Sequence, residues 1–175
     1  MTRAFAFATG VLLVSASLTF AQSPALTASA IIGGKHLSIK YSAPSVRGRQ
    51  IFGDDGLLSR DVNYPVWRAG ANASTSFHTD VDLMLGTLAV PKGDYSLYVL
   101  VKDPNAWELI VNKATGQWGL TYDAATDLGR VKMTMKKPAA PIETLKYTLS
   151  NLGGNKGLLQ LEWENHVASV PITVK

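Results

Sequence analysis

The sequence predicts an all-β protein: an antiparallel β-sandwich or flattened barrel of roughly eight to ten strands with two long ordered loops. Three observations support this fold class. Apolar and polar residues alternate along most of the chain, and turns rich in glycine and proline separate the alternating runs. Beyond the N-terminal segment, no stretch keeps an apolar stripe of helical period for about three turns.

The strands are predicted from runs in which every second residue faces a core. Gly33 and Gly34 offer a turn before the first run, and "PKGD" offers one before the second, since Pro91 presets φ. The turns "KDPN", "NLGGNKG" and "ENH" separate later runs. The core-facing residues are, in chain order, Leu37, Ile39, Tyr41; Tyr95, Leu97, Val99, Val101; Trp107, Leu109, Val111; Val131, Met133, Met135; Leu145, Tyr147, Leu149; Leu159, Leu161, Trp163; and Val170, Ile172, Val174.

Residues 1–21 have the pattern of a secretory signal peptide. Arg3 supplies a small basic region, an uncharged apolar run follows, and Thr19 and Ala21 are the small residues that signal peptidase requires. The run is short for a membrane-spanning helix, which needs about 20 residues. We expect cleavage after Ala21 and a single soluble domain over residues 22–175, periplasmic or secreted, with no membrane span after processing.

Composition and motifs exclude several classes of function. The chain has no cysteine, so disulfides, thiolate catalysis and cysteine-ligated zinc are absent. The formal net charge is +4, but the lysines and arginines are scattered, which disfavours nucleic-acid binding. The chain lacks a Gly-x-Ser-x-Gly elbow and a Gly-Lys-Ser/Thr phosphate loop, and His36 and His166 belong to no zinc-binding spacing. We therefore predict no cofactor.

Two segments interrupt the strand pattern, and we call them the first long loop (residues 44–72) and the second long loop (residues 112–130). Both contain arginine, asparagine, aspartate and aromatic residues among glycines, and long ordered loops are often functional. The alternative is that both loops cover an end or edge of the sheets, with Trp67 and Trp118 packed as plugs.

The first long loop ends in "VWRAGANASTSF", which predicts a loop leading into a strand. Gly70 frees the backbone to turn, Asn72 tolerates a left-handed conformation, and the residues from Thr75 onward favour extended structure. We expect Trp67 to be buried, and Arg68 and Asn72 to point at the second long loop. Arg68 would then organise Asp123 or Asp127, or a ligand anion between the loops.

The polar and aromatic residues of the two loops form the predicted ligand site. Arginine offers a planar fork for carboxylate or phosphate, asparagine and aspartate can bond sugar hydroxyls, and aromatic rings can stack on a ligand. The alternative is that ion pairs fix the loops: Arg130 with Asp123 or Asp127, and Arg68 with another loop carboxylate. The candidate ligand-binding residues are Arg47, Arg49, Arg68, Asn72, Asn112, Lys113, Trp118, Tyr122, Asp123, Asp127 and Arg130.

A possible cation site arises from "HTDVD". His78, Asp80 and Asp82 would share one face of a strand, because strand side chains alternate. The alternative is the solvated face of a half-buried strand. Since no further ligand can be identified from the sequence, we predict no metal site.

Six ordered motifs carry a family resemblance: "PSVRGRQIFG", "VWRAGANASTSF", "VPKGDYSLYVL", "WELIVNKATGQWG", "YDAATDLGRVKM" and "LEWENHVASVPI". Together they resemble the bacterial domain-of-unknown-function family 2911 over essentially all of the chain beyond residue 21. The resemblance implies an exported β-rich domain and brings no established activity. Ala73 stands where the family's loop usually carries glutamate, so this chain lacks any ligand or base role of that carboxylate.

Two functions remain from the sequence. The first is a non-catalytic exported module, or a scaffold, that binds a small polar or anionic ligand, a glycan or an envelope protein. The second is an exported hydrolase or isomerase that uses Asp123 or Asp127 as acid or base. A carboxylate in a dry pocket without arginine would favour the enzyme, whereas carboxylates saturated by arginine favour binding or scaffolding.

Overall fold

The computed structural model describes residues 22–175 and shows two packed antiparallel sheets. The predicted signal peptide, residues 1–21, lies outside the described residues. Within residues 22–175 the only helical segments are two short 3-10 turns, Leu57–Arg60 and Ala124–Thr126. No helix in this part of the chain has the length and apolar character needed to cross a membrane.

Thirteen strands of the described residues form the two sheets. Their bounds are β1 Ala25–Ile32, β2 Lys35–Ser42, β3 Val66–Trp67, β4 Thr75–Thr79, β5 Leu83–Leu85, β6 Leu88–Val90, β7 Gly93–Leu100, β8 Glu108–Asn112, β9 Asp127–Lys132, β10 Thr134–Lys136, β11 Ile142–Gly153, β12 Lys156–Glu164 and β13 His166–Val174. The first sheet has the order β1-β2-β4-β7-β8-β9, with β3 also paired to β7. The second has the order β11-β12-β13-β5-β6, with β10 also paired to β13.

The predicted sandwich is confirmed, and the flattened-barrel alternative is wrong because the strands form two separate sheets. The number of strands exceeds the prediction. Four of the thirteen, β3, β5, β6 and β10, have only two or three residues. A run of that length is too short to display an alternation, so sequence periodicity cannot detect it.

The core lies between the sheets and contains the inward faces of the predicted runs. Leu37, Leu97 and Leu109 from the first sheet are fully buried there, as are Leu159 and Val170 from the second. Burying such a side chain stabilises the fold by about 1.5–3 kcal/mol. Of the predicted core-facing residues only Met135 is partly exposed, since β10 lies off the main strand order of its sheet.

The first long loop is anchored by an aromatic cluster, which we define as Phe52, Trp67, Trp107, Trp163 and His166. The Trp67 and Trp163 rings stack with centroids 5.5 Å apart. Phe52 meets both rings edge-on, at 5.7 and 5.8 Å. The loop therefore contributes its own side chains to the core, which agrees with the predicted packing role of Trp67.

The second long loop covers the outer face of the first sheet. Tyr98 and Ile110 are buried on that face, away from the core between the sheets. The Tyr122 ring packs on Tyr98 at 4.8 Å, and Gln117 Nε2 donates to the Tyr98 hydroxyl at 3.1 Å. Because these contacts cover the Tyr98 ring and hydroxyl, the loop is an ordered layer on the sheet.

Candidate functional site

Three of the predicted arginines line one cavity of about 220 Å³, which we call the arginine cavity. Arg47 and Arg49 come from the first half of the first long loop, and Arg68 comes from its end. No aspartate or glutamate of residues 22–175 lines this cavity. The other lining residues are Ser23, Pro24, Ala43, Pro44, Ser45, Leu57, Leu58, Trp67, Gly70, Ala71 and Trp163.

Backbone carbonyls hold the Arg49 guanidinium. Its Nε donates to the carbonyl of Val46 at 2.9 Å, and its Nη2 donates to the carbonyl of Ser45 at 2.6 Å. Neither contact neutralises the charge. Arg47 is exposed and has a positive φ of 51°, and its amide donates to Glu143 at 2.9 Å.

Arg68 forms an ion pair with Asp61, with 3.3 Å between Nη1 and Oδ2. This pairing corrects the prediction that Arg68 organises Asp123 or Asp127. Asp61 follows the 3-10 turn of the same loop and pairs with the Arg68 guanidinium instead. This contact confirms the alternative of a pair with another loop carboxylate. The buried Nε of Arg68 has no hydrogen-bond partner among residues 22–175. An unsatisfied buried donor costs about 1–3 kcal/mol, so the position favours an acceptor.

The two long loops do meet, largely through backbone contacts. The Asn72 carbonyl accepts from the Gly119 amide at 3.0 Å, and Ala73 forms a β-bridge with Trp118. A Cβ at position 119 would collide with the Arg68 side chain, so the glycine lets the loops approach. Asn72 has the predicted left-handed backbone, with φ of 61°, and Trp67 is buried as predicted.

Four other predicted residues form a second group, the aspartate cluster: Asn112, Tyr122, Asp127 and Arg130. Asp127 Oδ1 accepts from Asn112 at 2.9 Å. Its Oδ2 accepts from the Tyr122 hydroxyl at 2.7 Å and from Arg130 Nη2 at 3.1 Å and Nε at 3.4 Å. The predicted pairing of Arg130 with Asp127 is thus confirmed. The cluster fixes the end of the second long loop to β8 and β9.

The protonation of this cluster follows from its contacts. Burial, followed by the hydrogen bond to Asp127, raises the pKa of Tyr122 to about 12. Burial works against the charge of Arg130, but the hydrogen bonds to Asp127 and Tyr122 prevail and raise its pKa. Four donated hydrogen bonds occupy the Asp127 carboxylate, so both of its oxygens are already engaged within the cluster.

The remaining predicted residues of the second long loop lie apart from the arginine cavity. Asp123 is exposed and caps a 3-10 turn by accepting from the Ala125 amide at 2.9 Å. Lys113 is exposed, and its amide donates to the carbonyl of Thr126 at 2.9 Å. Trp118 is 55% exposed, so its predicted role as a plug is wrong. The predicted two-loop site is thus divided into an arginine cavity and a separate aspartate cluster.

The three polar residues of "HTDVD" do not share one strand face as predicted. His78 joins Asp80, with 3.0 Å between Nε2 and Oδ1, and Asp94 of β7, with 2.8 Å between Nδ1 and Oδ1. Asp82 instead accepts from the Lys92 amide at 2.8 Å in the turn before β7. Hydrogen bonds to Asp80 and then Asp94 raise the pKa of His78. The strand ends at Thr79, so Asp82 leaves the face that alternation assigned to it.

Sequence reasoning did not identify His166 as part of the aromatic cluster, because "ENH" reads only as a turn. Its ring stacks on Trp107, with centroids 4.9 Å apart at 19°. The ring also borders a cavity of about 440 Å³ lined by Pro104, Asn105, Met135, Lys136, Lys137 and Asn165. His166 Nδ1 is buried and lies 3.7 Å from Glu164 Oε2, beyond hydrogen-bonding range.

Acidification is expected to destabilise the protein through His166. Burial lowers the pKa of His166, Lys137 adds to this, and Glu164 opposes it. As the pH falls through the ordinary pKa of about 6.5, the unfolded chain binds a proton at His166 and the folded chain does not. The stability that neutral His166 contributes is therefore present above that pH and is lost below it. Urea unfolding at about pH 7 and about pH 5 should show a smaller loss for His166→Phe than for the native chain. Equal losses of stability would contradict the assignment of this effect to His166. The titration of His78 does not affect the comparison, because both proteins contain that residue.

Comparison with known proteins identifies one family. Residues 23–172 match the family described as "Protein of unknown function (DUF2911)". No curated protein and no solved structure matches the chain. The match spans nearly all of the described residues and confirms the resemblance carried by the six ordered motifs.

Proposed function

The chain belongs to the DUF2911 family of proteins of unknown function, and we propose that it is an exported, non-catalytic module that binds a small ligand through a carboxylate or another oxyanion. The observation that supports this is the arginine cavity, which three arginines line without a lining aspartate or glutamate among residues 22–175. Export rests on the signal-peptide pattern of residues 1–21.

The arginines suit an oxyanion for two reasons. Guanidinium groups stay charged at any physiological pH and donate in a planar fork that matches carboxylate and phosphate. Arg49 is already oriented by the carbonyls of Ser45 and Val46, so little side-chain entropy is lost on binding. Asp61 offsets the charge of Arg68, whereas the Arg49 guanidinium is held by neutral carbonyls. The charge of Arg49 is the one that an oxyanion would complement.

The size and walls of the cavity indicate the class of ligand. A volume of about 220 Å³ is below the roughly 300–1,000 Å³ of typical small-molecule sites. Trp67, Trp163 and Leu58 supply apolar walls beside the arginines. A monosaccharide acid, or the acidic end of a longer glycan, combines an anionic group with an apolar ring face. We therefore propose a sugar acid as the ligand.

The enzyme alternative is disfavoured by the two carboxylates on which it depends. Four donated hydrogen bonds occupy Asp127, and Asp123 caps an exposed turn. Neither residue lines the arginine cavity. An acid–base pair at these positions would have no enclosed cavity shared with the arginines.

Titration calorimetry with glucuronate tests the proposed function. We expect saturable binding of glucuronate and none of glucose, which has the same ring without the carboxylate. Arg47→Gln should weaken glucuronate binding by at least about 10-fold, because a charged hydrogen bond contributes about 1.5–3 kcal/mol. Arg60→Gln is the matched control: Arg60 is an exposed arginine of the same loop that does not line the cavity.

Two outcomes would contradict the proposal. The first is equal weakening by Arg47→Gln and Arg60→Gln, which would indicate attraction by net charge alone. The second is the absence of glucuronate binding under conditions in which circular dichroism shows the native β-sheet signal.

A further inference from the structure

A second group of potential ligand residues lies on the outer face of the first sheet, outside the arginine cavity. His36 stands in β2, His78 in β4, and Asp80 directly after β4. The β2–β4 register places His78 opposite Ser38. The Asp80 amide donates to the His36 carbonyl at 3.2 Å. Strand pairing therefore sets Asp80 beside His36, with His78 on the diagonal.

The side chains converge as well as the backbones. One ligand atom from each of His36, His78 and Asp80 lies within 4.8 Å of the other two. Ligand atoms around a tetrahedral zinc ion with bonds of about 2.0–2.1 Å are about 3.4 Å apart. His78 Nε2 and Asp80 Oδ1 are already 3.0 Å apart. Small side-chain rotations would complete the three-ligand geometry.

Asp94 orients His78 as an outer carboxylate does in metal centres. It lies 2.8 Å from His78 Nδ1, which favours the tautomer with a proton on Nδ1 and leaves Nε2 as the ligand atom. Nε2 faces Asp80. A carboxylate–histidine arrangement of this kind is found behind many metal-binding histidines and makes the imidazole a stronger ligand.

We propose that His36, His78 and Asp80 form a binding site for Zn²⁺ or a similar imidazole-preferring divalent cation, with Asp94 as the positioning residue. Two imidazoles with one carboxylate suit zinc, whereas calcium and magnesium prefer oxygen ligands alone. Three protein ligands leave one tetrahedral position open. His36 and His78 border a cavity of about 410 Å³ that also reaches Asp94, Ser38 and Lys40.

Calorimetric titration of the chelator-treated, untagged protein with ZnCl₂ tests the site. We expect saturable binding of one Zn²⁺ per chain, and no comparable binding of MgCl₂. His36→Ala and His78→Ala should each weaken Zn²⁺ binding at least about 10-fold, and Asp94→Asn about 10-fold through loss of orientation. The variants alter a solvated face of the sheet, so circular dichroism should remain native.

Asp80→Asn and Asp82→Asn form a matched pair, because each removes one negative charge without changing side-chain size. Asp80→Asn should weaken Zn²⁺ binding about 10-fold, and Asp82→Asn should leave it unchanged within about two-fold. The proposal is overturned if the native chain binds no Zn²⁺. It is equally overturned if both aspartate variants weaken binding alike, or if His36→Ala has no effect.

Discussion

Trp67→Ala is expected to lower the free energy of unfolding by about 3–5 kcal/mol, because it removes a large buried side chain and leaves a cavity. Trp67 is only 2% exposed. Its ring stacks on Trp163 at 5.5 Å and meets Phe52 edge-on at 5.7 Å. Its Nε1 also donates to the carbonyl of Gly70 at 3.3 Å, so the substitution loosens the end of the first long loop.

Trp118→Ala is the matched control for this prediction. Trp118 is 55% exposed, and its bridge to Ala73 is made by the backbone, which alanine preserves. We expect a change within about 0.5 kcal/mol. Urea unfolding followed by circular dichroism measures both variants without relying on tryptophan fluorescence. Similar losses for the two substitutions would show that burial does not distinguish these tryptophans.

Asp127→Asn is expected to lower the free energy of unfolding by about 2 kcal/mol. The substitution keeps the size of the side chain but replaces one acceptor oxygen with a donor group. Whichever way the amide turns, either Asn112 or the pair of Tyr122 and Arg130 loses its acceptor. Arg130 is 39% exposed, so solvent screens part of its loss. The end of the second long loop should loosen from β8 and β9.

Asp123→Asn provides the comparison in the same loop. Its carboxylate is exposed and accepts from the Ala125 amide, a capping role that asparagine fills equally well. We expect a change within about 0.5 kcal/mol in the same urea experiment. If Asp127→Asn and Asp123→Asn lower the free energy of unfolding by the same amount, the hydrogen bonds of Asp127 add nothing beyond the loss of one negative charge in this loop.

Local features of the sequence predicted most of the longer strands and several contacts correctly. Eight of the nine longer strands overlap segments predicted to be extended, because alternation and the positions of glycine and proline depend on neighbouring residues alone. The ninth, β1, was not predicted, and β9 begins at Asp127, inside the segment predicted as the second long loop. The burial of Trp67 and the Arg130–Asp127 pair were also predicted. The partners stand three residues apart, which a regular strand would place on opposite faces. A β-bulge between the Val111–Gly129 and Asn112–Asp127 pairings lets the two side chains meet.

The distribution of the arginines was less predictable. Arg47, Arg49 and Arg68 line one cavity, whereas Arg130 belongs to a different cluster beside β8 and β9. The sequence analysis assigned all four arginines to one predicted site, because nothing local distinguishes one arginine of these segments from another. Their separation depends on how the first long loop folds back over the aromatic cluster, and contacts of Phe52 with Trp107 and Trp163 set that path.

The sequence by itself determined which residues face inward, where the chain turns, and to which family it belongs. Only the tertiary structure decided which strands are neighbours. His36 and His78 lie on polar faces that alternation predicts, yet nothing local indicates that β2 pairs with β4 in this register. The physical reason is that side-chain period assigns a residue to a face, whereas register comes from burial summed over the whole sandwich. The arginine cavity and the histidine–aspartate group both depend on that long-range packing.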